Sequence, residues 1–172
     1  MKTFTITAGH SNTDPGAVAF GRKESDIAVD MRNMVTLYLE RAGAKVLTDG
    51  DSRDNKSLNE AVKLIPKSDI AIEFHCNAAT PSAKGVECLA KPKDKLISQK
   101  ICGAIADVLE TTVRGEKGWK PENSGQHSRL AYVSAGGIIC ELFFLTNAKE
   151  LEMWDAKKWL VAKAVSNVLL EL

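Results

Sequence analysis

The strongest constraint on this chain is the way its hydrophobic period switches between two values. Short apolar or β-branched blocks occur around residues 4–6, 45–48, 70–75, 85–90 and 137–143. Between most of them the apolar residues recur every three or four positions. A period near two marks strands and a period near 3.6 marks helices. Ile27, Met31, Met34, Val35 and Tyr38 predict a helix over 24–41, with Gly43 placed for a left-handed cap. Ser57 and Glu60 have capping-box spacing ahead of Leu58, Ala61, Val62 and Ile65, and Pro66 stops that short helix. Ile97, Ile101, Ala104, Ile105 and Val108 predict a third helix, and Leu160, Ala164, Val165, Val168 and Leu172 anchor a last one. Strands alternating with helices imply an α/β fold, with a mixed or mainly parallel sheet and helices on both faces.

One domain over residues 1–172 accounts for the chain, which has neither an internal repeat nor a Pro/Gly-rich linker. Its 23 basic and 22 acidic side chains leave a net charge of +1, so nothing overall draws it to nucleic acid or to an anionic membrane. Lys91, Lys93, Lys95 and Lys100 read as a solvated face. Residues 1–7 hold one lysine followed by alternation, which is a strand pattern and not a signal peptide. No run approaches the roughly 18 apolar residues of a membrane span. The expectation is synthesis in the cytoplasm, with another agent delivering the protein to any external substrate. Cys76, Cys88, Cys102 and Cys140 form no Cys-x-x-Cys pair and read as small buried free thiols.

In open α/β sheets ligands bind outside the carboxyl ends of the strands. His10 closes the first predicted strand and His75 the third. Glu141 lies late in the apolar run 137–143, where an acid is costly without a partner, and Glu24 opens the first helix. Singly, each has an ordinary structural role: a satisfied strand-end histidine, a first-turn acid, a buried structural acid. Together they bring four polar groups to one sheet edge, and spacing alone leaves a metal site and a structural cluster both open. The chemistry is coherent: two imidazoles and a carboxylate leave a zinc coordination position free, and zinc lowers the pKa of a coordinated water to about 7. A further carboxylate can take and return the proton.

Three motifs carry a resemblance. They are Gly9-His10 with Asp14-Pro15-Gly16-Ala17 and Glu24; then Phe74-His75-Cys76-Asn77-Ala78; then Glu141-Leu142-Phe143-Phe144-Leu145-Thr146-Asn147 followed by Glu150. In this order they resemble the zinc-dependent N-acetylmuramoyl-L-alanine amidases of cell-separation enzymes and phage endolysins, over nearly the whole chain. The resemblance implies a zinc ion (Zn2+) held by His10, Glu24 and His75, and Glu141 as catalytic acid/base. It implies Asn77 as a residue supporting the site or facing substrate. The implied substrate is peptidoglycan, cut at the amide joining N-acetylmuramic acid to L-alanine, and the implied form is a monomeric endolysin released through a holin-like pore. A cellular wall-remodelling role is the competing one. Two features depart from the pattern. Glu73 stands where relatives often have serine or threonine, and it reads as a solvated strand acid in preference to a support for His75. Residues 49–59 match an arginine-containing segment only loosely. Residues 114–129, with Lys117, Trp119, Asn123, Gln126 and His127, read as a long loop walling the substrate groove. Two other classes share many of these features: a zinc peptidase acting on short peptides, and a wall-binding module without activity.

Overall fold

The structure is a computed structural model, and it describes residues 2–124 and 130–172. Alternation in β1 (Thr3–Ala8) sends Phe4, Ile6 and Ala8 to one face and Thr3, Thr5 and Thr7 to the other. A small hairpin follows, β2 (Val18–Ala19) against β3 (Arg22–Lys23), turning through Phe20 and Gly21, both at positive φ. That backbone sign at both turn positions matches the twist of a tight hairpin. The hairpin leads directly into α1 (Glu24–Arg41), which ends with Gly43 at φ 85°. Then come β4 (Lys45–Thr48), α2 (Leu58–Val62), β5 (Ile70–Asn77), β6 (Glu87–Leu89), α3 (Lys95–Leu109), β7 (Trp119–Lys120), α4 (Ala131–Ser134), β8 (Ile138–Phe144) and α5 (Ala148–Leu170).

Six strands form one sheet in the order β4-β1-β5-β8-β6-β7. All pairings are parallel except β6 with β8, so the sheet is mixed and mainly parallel, as the alternating pattern implied. The two faces are covered unequally. On one, the long helices α1, α3 and α5 bury Phe4, Ile6, Ile72, Phe74, Cys140 and Leu142. On the other, among the described residues, the short α2 and α4 and the turn at Ile65 pack over Ala71, Leu89 and Ile139. Along β5 and β8, strand alternation puts His75 and Glu141 on this thinly covered face.

Two local details differ from the sequence reading. Ser57 does begin α2, but its side chain makes no capping bond, and Glu60 pairs with Lys63. The segment after Arg114 is not pattern-free, because β7 adds a parallel edge strand to β6. Cys88 N donates to Gly118 O, and the Trp119 indole N–H donates to Ala90 O at 2.9 Å. Gln126 and His127 lie outside the described residues.

Candidate metal centre

His10, Glu24, His75 and Glu141 are each delivered by a different element. Gly9 N donates to Phe74 O at 2.9 Å, continuing the β1–β5 ladder one step past the strand. His10 then turns out of the sheet at φ 67°, a backbone region that non-glycine residues seldom hold without a functional or steric reason. The loop that follows is pinned by Asn55, whose side chain donates to Gly9 O and whose backbone O accepts from Asn12 N. Residues 49–59, only a loose match to the family pattern, therefore serve as the prop beneath His10. The β2–β3 hairpin spans the gap to Glu24 and closes on itself, since Glu24 N donates to Ala17 O and Ala17 N donates to Glu24 Oε2.

These elements bring His10, Glu24 and His75 together. His10 Nε2 lies 2.8 Å and His75 Nδ1 3.0 Å from Glu24 Oε1, and the two rings stand edge to face with centroids 5.0 Å apart. One donor atom from each residue falls within 4.8 Å of the other two, a set able to hold a metal ion. Glu141 is the register partner of His75 on β8 and shares a cavity of about 310 Å3 with the three donors and Asn77. Asn77 also donates to Glu87 Oε1 at 3.1 Å, and Glu87 sits directly across from Glu141 on β6. All five positions named from the motifs thus converge on one cavity.

Packing leaves no room for side chains at two glycines. A Cβ on Gly9 would stand 2.2 Å from the His75 ring, and one on Gly16 would stand 2.6 Å from both Glu24 and His10.

The electrostatics suit a cation. Burial alone would raise the Glu24 carboxyl, yet the adjacent His10 and His75 rings hold it well below the usual carboxylate range. Burial works against charge on His75, but Glu24 and Glu73 outweigh it and push its pKa well above the ordinary value. His10 is raised on balance too: Glu24 and Asp14 overcome its desolvation. Burial pushes Glu141 up to about 7, with the charge of His75 opposing and those of Glu24 and Glu87 adding. The acids around the two rings favour positive charge at this point, and metal binding at such ligands displaces ring protons. Of the buried side-chain atoms without a hydrogen-bond partner among the described residues, two lie in this cavity, His10 Nε2 and Glu141 Oε2. His10 Nε2 lies 2.8 Å from Glu24 Oε1 without completing a hydrogen bond, so its lone pair is open to a cation. The donor set, two nitrogens and one carboxylate oxygen, fits zinc.

Glu73 corrects the sequence reading. It is buried, and it accepts a hydrogen bond from His75 Nε2 at 2.9 Å. Asp49, Asn55 and Glu87 also escaped sequence reasoning. Each is a polar residue in a turn or short strand whose partner lies far away in the chain, as in the bond from Ala8 N to Asp49.

Fold and site define a class: an α/β domain whose thin sheet face carries a two-histidine, one-glutamate donor set beside a carboxylate of raised pKa. Within that class, the chain belongs to the N-acetylmuramoyl-L-alanine amidase family, whose profile matches residues 5–171. It superposes on a crystal structure from Neisseria meningitidis, of a protein provisionally named N-acetylmuramoyl-L-alanine amidase, with a TM-score of 0.90. The two are 47% identical, over 98% of this chain and 93% of that one. The catalytic domain of the amidase CwlV from Paenibacillus polymyxa shares the fold at TM-score 0.83 and 22% identity, over 99% and 97% of the two chains. The uncharacterized protein YqiI of Bacillus subtilis is 25% identical over 92% of this chain and 77% of its own length. The amidase LytC of Bacillus subtilis is also 25% identical, over 87% of this chain but only 30% of its own length.

Proposed function

We propose that the protein is a zinc-dependent hydrolase of the amide between N-acetylmuramic acid and L-alanine in peptidoglycan. His10, Glu24 and His75 hold the ion, and Glu141 is the catalytic acid/base. The observation that carries this reading is the juxtaposition, in a member of the amidase family, of three converging donors with a buried carboxylate in register beside one of them. When bound, zinc supplies Lewis acidity toward the amide carbonyl. Glu141 takes the proton of the attacking water and passes it to the departing alanine nitrogen, and its raised pKa suits a group that must do both. Asn77, fixed by Glu87, presents an amide at the cavity wall. A second cleft of about 280 Å3, lined by Ser11, Asn12, Arg53 and Asn55, adjoins the His10 loop and offers polar groups to a sugar-peptide.

The test is digestion of purified peptidoglycan with and without a chelator, followed by mass spectrometry. Free stem peptides with intact glycan strands, lost on chelation and restored by zinc, are expected. Shortened peptides still attached to sugar would instead assign a peptidase, and tight wall binding without products a non-catalytic module. We read the working form as a monomer and the cellular role as lysis by a phage or prophage enzyme. Expression with a holin, but not without one, should then lyse cells.

A further inference from the structure

Each histidine ring meets a second carboxylate on the side away from Glu24, and the two are not equivalent. His10 Nδ1 lies 2.9 Å from Asp14 Oδ2, but the Asp14 side chain is 60% exposed. His75 Nε2 lies 2.9 Å from Glu73 Oε1, and the Glu73 side chain is 4% exposed. Residues i and i+2 of a strand share a face, so the β5 backbone itself aims Glu73 at His75. Thr7, opposite Glu73 in register on β1, bonds the Tyr132 hydroxyl at 3.0 Å. Among the described residues no lysine or arginine pairs with Glu73, and its side chain bonds only His75. A buried acid so placed is costly unless that single contact is used.

We propose that Glu73 is the positioning residue of this centre: it accepts the Nε2 proton of His75, locks the ring, and leaves Nδ1 as the donor facing the metal. The inference rests on the zinc-site reading above. A carboxylate behind a ligating imidazole fixes its tautomer and orientation and makes the ring a stronger donor. The two histidines therefore present opposite nitrogens, Nε2 from His10 and Nδ1 from His75. The buried support at His75 outweighs the solvated one at His10, because water screens and competes for Asp14.

Two readouts test this. Zinc affinity is measured by competition with a chromophoric chelator for the wild-type protein, Glu73→Gln, Glu73→Asp and Asp14→Asn. Glu73→Gln should bind zinc about 10- to 100-fold more weakly. Glu73→Asp should recover part of that loss, and Asp14→Asn should lose less than Glu73→Gln. In parallel, long-range 1H–15N spectra of the zinc-loaded wild type should show the remaining ring proton on Nε2 of His75 and on Nδ1 of His10. A proton on Nδ1 of His75, or zinc affinity of a folded Glu73→Gln within about twofold of wild type, would overturn the proposal. Should Glu73→Gln not fold, the wild-type spectrum decides alone. A wild-type protein that binds no zinc removes the site reading itself, whereas normal wild-type binding with an unaffected variant removes only the role of Glu73.

Discussion

Glu141 sits in an otherwise apolar strand with one carboxylate oxygen lacking a partner, and burial lifts its pKa to about 7. It must be ionised to accept a proton, so hydrolysis should fall as pH drops through its pKa. A bound dication lowers that pKa, and the acid limb of kcat/KM in the zinc enzyme is therefore expected at or below about 7. Glu141→Gln keeps the shape and removes the base; it should retain zinc while turnover falls by about 100-fold or more. Zinc analysis beside steady-state assays checks both parts. Gly16, at φ +66° and with its missing Cβ 2.6 Å from two ligands, makes a complementary case. Gly16→Ala should weaken zinc binding, as read by chelator competition, because the ligands themselves must move to admit the methyl group. At this scale His10, Glu24, His75 and Glu141 were legible because their order and neighbours form motifs. Glu73 was not: the same residue on the same strand face is solvated or buried according to what the rest of the chain lays over it.

Helix α1 shows what periodicity catches at the scale of an element and what it misses. Its apolar stripe, Ile27, Met31, Met34 and Val35, is buried as its spacing requires. Arg32 is fully buried as well, 3.2 Å from the equally buried Asp49, and Asp49 also accepts from Ala8 N at the end of β1. The pair ties α1 and the segment after β4 to the strand end that launches His10. Desolvation raises Asp49 to about 6 in spite of Arg32, a sign that the pair has little to spare. Arg32→Met should therefore cost about 3–5 kcal/mol in urea unfolding, with much of it recovered when Asp49→Leu is added. Strand β7 is the converse case. Two residues paired to β6 carry no period of their own, so sequence showed only a loop.

For the whole molecule, the unequal covering of the sheet separates stability from chemistry. The main core lies beneath α1, α3 and α5, while the candidate centre lies on the other face under little cover. Chelation should abolish hydrolysis yet leave the far-UV circular dichroism intact, and the melting temperature should drop only by the linkage contribution of the bound ion. All four cysteines are free and buried, as expected from the sequence, and Cys88 and Cys102 sit with sulfurs 3.4 Å apart in the main core. A thiol reagent should find none of them in the native protein at neutral pH and all four after unfolding without reductant. Among the described residues, no helix is long and apolar enough to cross a membrane.

Sequence by itself determined the α/β class, the order of the main elements and the residues that converge at the strand ends. Each of these follows from local periodicity or from motifs whose spacing survives without tertiary context. Only the tertiary structure decided which face of the sheet was left thin, that Glu73 lies buried behind His75, that Arg32 and Asp49 are paired in the interior, and that Asn55 props the His10 loop. The physical reason is common to all four. Burial and long-range polar pairing depend on what other segments, tens of residues away, pack against a position, and no local pattern of residues carries that information.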